Sequence, residues 1–214
     1  MYIYIEKSAA VEIDARLVMA WRNDPSTLEA SFHQKPKKWD TYWPEFRDTY
    51  FQYPDMKPVF ACHQGKRVAF LRFQPYHEEN FGAGWIDIGI NVDPACRQRG
   101  LGSAILAKIT ERMLDTGIAG IVAEIKPDTI ASIRAFENAG YRYFDQYTKV
   151  IDDTGESIPV FRFTARNPKA IGETQSKHVF IIAEPKPLWR HAGSTLQQGR
   201  ARSSSRLTAL IHYM

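Results

Sequence analysis

The chain has 214 residues, 44% of them hydrophobic, and a formal net charge of +4, enough for one well-filled domain with some excess and of ordinary globular composition. No stretch approaches the roughly twenty apolar residues of a bilayer span. Lys186, Arg190, Arg200, Arg202 and Arg206 are five cations after Pro185 with no acid among them, so residues 1–184 sum to −1, which argues against a broad basic face tracking a nucleic acid.

Residues 1–7 read as an opening strand, because Glu6 and Lys7 arrive before a signal-peptide core can form; a cytoplasmic location is the default expectation. Residues 9–21 predict a helix with Leu17, Val18 and Trp21 among its apolar positions, ended where Pro25 pushes Asp24 out of the α region. A second helix is predicted from Lys38 or Trp39 to Tyr50. Strands at 59–63 and 68–74 flank a turn at Gln64-Gly65-Lys66. Cys62 and Cys96 set no disulfide framework and are expected as free thiols in a reducing compartment, Cys96 as a small buried thiol rather than a nucleophile.

After the loop at 75–84, Ile86, Ile88, Ile90 and Val92 alternate with Asp87, Gly89 and Asn91, the period of a strand with one buried face. The run Arg97-Gln98-Arg99-Gly100-Leu101-Gly102 then closes the strand region and opens a helix. Ile105, Ile109 and Met113 share one stripe of that helix, and Gly117 is its expected stop. Gly100 and Gly102 allow a tight turn that presents several free amides to an anion at the positive end of the helix dipole, with Arg97 and Arg99 at the rim. Such a junction can hold a pyrophosphate. The spacing is neither that of a Walker loop nor that of the dinucleotide GxGxxG, and by itself it also describes a plain turn with solvated arginines.

A strand at 120–125 follows, and then Pro127-Asp128-Thr129-Ile130-Ala131-Ser132 runs into Phe136-Glu137 and Gly140-Tyr141. Residues 91–141 resemble the acetyl-CoA-binding half of the GNAT superfamily of N-acetyltransferases, whose loop reads Q/R-x-x-G-x-G/A and whose later helix reads roughly N-x-x-S-x-x-x-[YF]-E-x-x-G-[FY]. Both patterns occur here in order and without a gap. The resemblance implies an α/β (α+β) GNAT fold: a mixed central sheet, flanked by helices, whose two central strands splay apart after a bulge. It also implies acetyl-CoA as co-substrate, without a metal. Pantetheine would enter the splay against Ile90 and Val92, the loop from Arg97 to Ser103 would hold the pyrophosphate, and Thr129, Ser132 and Phe136 would flank the cofactor.

In that reading the acceptor amine attacks the thioester directly and a carboxylate takes its proton. Asp87 is the first choice, on the strand face opposite the apolar set; Glu124, on the neighbouring strand, is the second. Each also reads as a solvated strand face or a local ion pair. Many relatives protonate the departing thiolate with a tyrosine on the last motif helix, where this chain has Phe136. The loss is tolerable because a thiol has a pKa of roughly 8.5. Tyr141 and Tyr143 are fallback donors, although both also read as packing groups. Thr129 replaces the family's frequent asparagine and leaves that cofactor contact in doubt.

Through Trp21-Arg22-Asn23-Asp24-Pro25, Ala30-Ser31-Phe32, Trp39 and Glu124-Ile125-Lys126-Pro127-Asp128, roughly residues 10–145 further resemble a GNAT subgroup that acetylates amino sugars in bacterial surface-polysaccharide synthesis, the most similar being enzymes for the 4-amino group of a UDP-linked sugar on the way to pseudaminic acid. This implies that Arg22 and Asn23 meet substrate hydroxyls or phosphates and that His33, Trp39 and Trp43 line the acceptor pocket; otherwise Arg22 and Asn23 cap a helix and the tryptophans fill a core. Rival acceptors are a protein N-terminus or lysine, or an aminoglycoside or polyamine drawn by Asp87, Glu78 and Glu79, and a non-catalytic acyl-CoA sensor is a third class. Adjacent His77, Glu78 and Glu79 cannot converge on a metal. The expected partner is a small-molecule amine; a homodimer is allowed, and no nucleic acid is expected. Residues 1–166 form the acetyltransferase domain, 167–184 an extension with an edge strand at 179–183, and 185–214 a basic, poorly ordered tail with a short helix at 206–213.

Overall fold

The computed structural model describes residues 1–151 and 154–170. The expected edge strand, tail and closing helix lie outside the described residues, as does most of the 167–184 extension. Strands β1 (Ile3–Lys7), β2 (Val59–His63), β3 (Lys66–Pro75), β4 (Trp85–Val92), β5 (Gly120–Ile125), β6 (Arg142–Ile151) and β7 (Glu156–Arg166) form one mixed sheet in the order β1-β2-β3-β4-β5-β7-β6. Every neighbouring pair is antiparallel except β4 and β5. Helices α1 (Glu12–Arg22), α2 (Pro25–Ala30), α3 (Trp39–Pro44), α4 (Leu101–Leu114) and α5 (Ile130–Asn138) complete the α/β architecture.

The period-two pattern sorts the side chains of β2 and β3 between two cores. The paired Ala61 and Ala69 turn toward Ile105, Leu106, Ile109 and Phe136 of α4 and α5. The paired Phe60 and Phe70 turn the other way, onto Ala15, Val18, Trp21, Tyr42, Phe46 and Tyr50. Each fully buried Phe, Leu or Ile contributes about 1.5–3 kcal/mol, so these two clusters outweigh any single polar contact on the surface. Ile86 and Ile88 belong to the α4–α5 core, which leaves Asp87 on the opposite face.

Several expected boundaries shift for identifiable reasons. Helix α1 starts at Glu12 rather than Ala9, because the Ser8 hydroxyl (3.1 Å) and Ala9 amide (2.8 Å) both donate to Asp14, which also receives Arg67 at 2.7 Å. Helix α2 was not expected: Asp24 is extended, its carboxylate accepts the Thr27 amide at 3.1 Å, and Pro25 starts the helix. The predicted helix to Tyr50 is interrupted at Pro44, which has no N–H for the carbonyl four residues back, and the chain widens into a π turn at Glu45–Thr49. The β2–β3 hairpin turns on Gln64 and Gly65 alone, with Lys66 already paired to His63.

Candidate active site

The parallel pairing of β4 with β5 covers only Trp85–Gly120, Ile86–Ile121 and Asp87–Val122. From Ile88 onward β4 pairs with β3 alone, and from Ala123 onward β5 pairs with β7 alone. The strands therefore part, as the resemblance implied, but no bulge causes it: β3 and β4 keep one unbroken register from Ala69–Val92 to Pro75–Ile86. A cavity of about 690 Å³ opens at the parting, walled by β3 to β6, the α1–α2 region and α5. Ile90, Thr129, Ser132 and Phe136 line it, whereas Val92 does not. Phe136 is buried edge-on against Tyr141, with ring centroids 4.9 Å apart, and the Thr129 hydroxyl caps the Lys126 carbonyl at 2.7 Å.

At the head of α4, Gly100 is the N-cap with φ 71°, a left-handed conformation that disfavours any side chain, and Gln98 has φ 60°. The first backbone hydrogen bond runs from Ala104 to Gly100 (3.3 Å), so the amides of Gly100, Leu101, Gly102 and Ser103 have no intrahelical acceptor. A Cβ on Gly102 would meet Ala135 and Val92 only at 3.8 and 3.9 Å. Protein packing therefore does not demand glycine there, and the bare backbone leaves room for a phosphate. Gln98 and Arg99 are exposed at the mouth of this turn, and the Leu101 side chain is buried in the core.

Arg97 does not fit the role of a phosphate ligand. Its guanidinium donates to Asp24 (2.9 Å), to the hydroxyls of Ser26 and Thr27, and to the Val92 carbonyl (3.2 and 3.3 Å). It staples the loop to α2, and it occupies the Val92 carbonyl that was expected to face pantetheine.

Asp87 and Glu124 enter the same cavity from neighbouring strands but in different states. Burial is the main force on Asp87 and pushes its carboxyl up to about 6; Arg72 and Lys149 pull it down and Glu124 adds to the rise. Its one side-chain donor among the described residues is Gln74 at 3.2 Å. Glu124 instead accepts from Tyr76 (3.2 Å), Tyr147 (2.7 Å) and Lys149 (2.6 Å). Tyr76 also receives Arg162, which is itself doubly bonded to Asp145 at 2.6 and 2.5 Å. Desolvation raises the Tyr76 hydroxyl to about 12 and raises Tyr147 still further, so both stay protonated donors at neutral pH. Sequence reasoning missed Gln74, Tyr76, Tyr147 and Lys149. Their signal was the alternation Asp145, Tyr147, Lys149 along β6 and Arg72, Gln74 along β3.

Of the expected acceptor residues, Arg22 and His33 line the cavity. Asn23 does not: its side chain clasps Lys37, receiving the amide at 2.7 Å and donating to the carbonyl at 2.9 Å. Trp39 stacks on Trp43 at 5.7 Å beneath the Arg16 guanidinium and packs on the Tyr42–Phe46 core, so neither tryptophan reaches the pocket. The fallback donors fail as well. Tyr141 is wholly buried and bonded to Thr110 at 2.8 Å, and Tyr143 packs outside the cavity on Phe161 and Phe163. Burial first, then Asp93, raises the Cys96 thiol. Among the described residues no group of three His, Cys, Asp or Glu side chains is placed to hold a metal, and no helix is long and apolar enough to cross a membrane.

The profile of the acetyltransferase (GNAT) family matches residues 19–141, more than half of the chain. Among solved structures, the chain is similar to AAC(6')-Ib in complex with paromomycin and acetyl-CoA, at TM-score 0.65 and 16% identity over 83% of this chain and 100% of that one. It is also similar to the putative acetyltransferase yncA from Salmonella typhimurium with its cofactor acetyl-CoA (TM-score 0.60, 16% identity, 85% and 98% coverage). A third similar structure is ribosomal-protein-alanine N-acetyltransferase from Brucella melitensis (TM-score 0.59, 18% identity, 76% and 99% coverage). No curated protein sequence matches the chain. A splayed β4–β5 pair, an open-headed α4 and the family profile agree: the chain belongs to the acetyltransferase (GNAT) family and is an acetyl-CoA-dependent N-acetyltransferase.

Proposed function

We propose that the chain acetylates the primary amine of a small acceptor, a nucleotide-linked amino sugar of surface-polysaccharide synthesis, in the cytoplasm, with Asp87 as the base. The observation that carries the reading is Asp87 itself, a carboxyl raised to about 6 at the last paired position before β4 and β5 part. A base of that strength is largely ionised at neutral pH and close to its working range. Bound acetyl-CoA supplies the acetyl thioester. Asp87 takes the proton from the attacking amine as the new C–N bond forms and the C–S bond breaks. Glu124, already matched by Lys149 and two hydroxyls, holds that side of the cavity rather than acting as a second base. The bare amides at the head of α4 and the exposed Arg99 receive the diphosphate.

Arg22 and His33 at the cavity wall support a sugar carrying phosphates. A polycationic acceptor is the second reading, favoured by Glu78 at the same wall; the Glu124–Lys149 pair removes one of the negative charges it would need. The test is thiol release from acetyl-CoA by the purified full chain with UDP-linked 4-amino sugars, peptides, aminoglycosides and polyamines. Turnover concentrated on the UDP sugars is expected. Turnover only with peptides or polycations overturns the sugar acceptor, and none with any amine overturns catalysis.

A further inference from the structure

Two arginines, Arg22 and Arg72, line the cavity, and each contacts Tyr50. Arg22 Nη1 donates to the Tyr50 hydroxyl at 3.1 Å, while the Arg72 guanidinium lies 5.4 Å from the centre of the Tyr50 ring. Tyr50 is 5% exposed, and its hydroxyl donates to Glu45 at 3.2 Å. The Glu45 charge is spent elsewhere, on Lys37 at 2.7 Å. Arg72 reaches its place by lying flat on Gly89: a Cβ there would sit 3.2 Å from Nε and 3.3 Å from Cγ. Both side chains line the cavity, and among the described residues neither has a carboxylate within ion-pair distance.

Two like charges in one partly desolvated cleft are costly unless an anion offsets them; Asp87 acts on Arg72 through space but forms an ion pair with neither guanidinium. The other cations of the cavity are committed, Lys149 to Glu124 and Lys126 to the Glu29 carbonyl at 2.8 Å. We propose that Arg22 and Arg72 form an anion subsite for the acceptor, so that the substrate class is a primary amine carrying a phosphate or carboxylate a short distance from the nitrogen. This rests on the acetyltransferase reading of the same cavity and adds the charge the acceptor must bear. It separates the acceptor's anion from the cofactor's diphosphate, which lies at the head of α4.

The arrangement carries a coupling. Arg72 is the cation that most restrains the rise of Asp87, and an anion seated on Arg72 cancels part of that field. The base is then stronger with acceptor bound than without it. Since kcat/KM reports the free enzyme and kcat the complex, the acid limb of kcat is expected at higher pH than the acid limb of kcat/KM.

The experiment compares matched acceptors on the full chain with saturating acetyl-CoA: a UDP-linked 4-amino sugar against its neutral methyl glycoside, and an amino acid against its methyl ester. At least a tenfold preference in kcat/KM for the anionic member of one pair is expected, and the pair that shows it tells phosphate from carboxylate. Arg72→Met and Arg22→Met are expected to cut that preference about tenfold each through the acceptor KM, with Arg72→Lys recovering part of it. Equal or better use of the neutral member by the native protein overturns the subsite, a result that needs no variant to fold. So does an equal loss on both members in variants whose thermal unfolding matches the native protein. No turnover with any amine overturns the acetyltransferase reading beneath it.

Discussion

Arg97 and Asp24, 73 residues apart, are joined at 2.9 Å, and the pair ties the cofactor loop to the first turn of α2. The Ser26 hydroxyl foremost, then the Thr27 amide and Arg97, hold the Asp24 carboxyl down to about 2 against the opposing effect of burial. Its ionised form therefore stabilises the fold above the ordinary carboxylate value and loses that contribution as pH falls toward 2. Asp24→Ala is expected to cost about 1 kcal/mol, as for other N-caps, and to flatten acid unfolding in that window. Arg97→Gln should lower stability while changing the KM for acetyl-CoA less than Arg99→Gln does. A larger KM effect at Arg97 would return it to the diphosphate.

The two loop glycines should part company on substitution. Gly100→Ala places a side chain at φ 71° and should cost about 1 kcal/mol of stability. Gly102→Ala adds only ordinary contacts at 3.8 and 3.9 Å and gains up to about 1 kcal/mol of helix propensity. It should nevertheless raise the KM for acetyl-CoA about tenfold if, as proposed, the diphosphate is received at this turn. A more stable protein with an unchanged KM would move the diphosphate away from this turn.

Asp87→Asn sets activity against stability. It should lower kcat by a hundredfold or more and abolish the acid limb expected near pH 6 in the native profile. Burial raises Asp87 from the ordinary carboxylate value to about 6, so its favourable contribution is complete below about pH 4 and is lost as pH rises through 6. Above that the native protein carries a penalty of about 3 kcal/mol that asparagine does not share. Unfolding at pH 8 should therefore show the inactive variant to be the more stable of the two. An acid limb retained in the variant would assign it to another group.

The sheet was legible because burial on one face leaves a period of two: β2 and β5 fall on the expected residues, and β4 begins one residue early. The turn into α4 was legible because Gly100, before an apolar stripe, can take the left-handed conformation that opens the helix. What stayed hidden is what tertiary contact decides. Arg97 looked like a phosphate ligand until α2, an element of six residues with little periodicity of its own, supplied Asp24, Ser26 and Thr27. Asn23 adjoins Arg22 in sequence, and only Arg22 of the two lines the cavity. Tyr147 and Lys149 reach Glu124 across β7, a proximity set by strand order, which no local pattern encodes.

Tyr42 and Tyr50 sit edge to face, with ring centroids 6.2 Å apart, in one aromatic core, yet their hydroxyls differ. Tyr50 receives Arg22 and donates to Glu45; Tyr42 is wholly buried, and its hydroxyl, although it faces Tyr50, completes no well-aligned hydrogen bond among the described residues. An unsatisfied buried donor costs about 1–3 kcal/mol. Tyr42→Phe should therefore raise stability by about 1 kcal/mol, some 2–4 °C in Tm for a chain of this size. Tyr50→Phe should lower stability by a similar amount and, by loosening Arg22, raise the acceptor KM. Thermal and urea unfolding of the two variants decide the matter: if Tyr42→Phe is as destabilising as Tyr50→Phe, a bridging water satisfies the Tyr42 hydroxyl and the two tyrosines are equivalent.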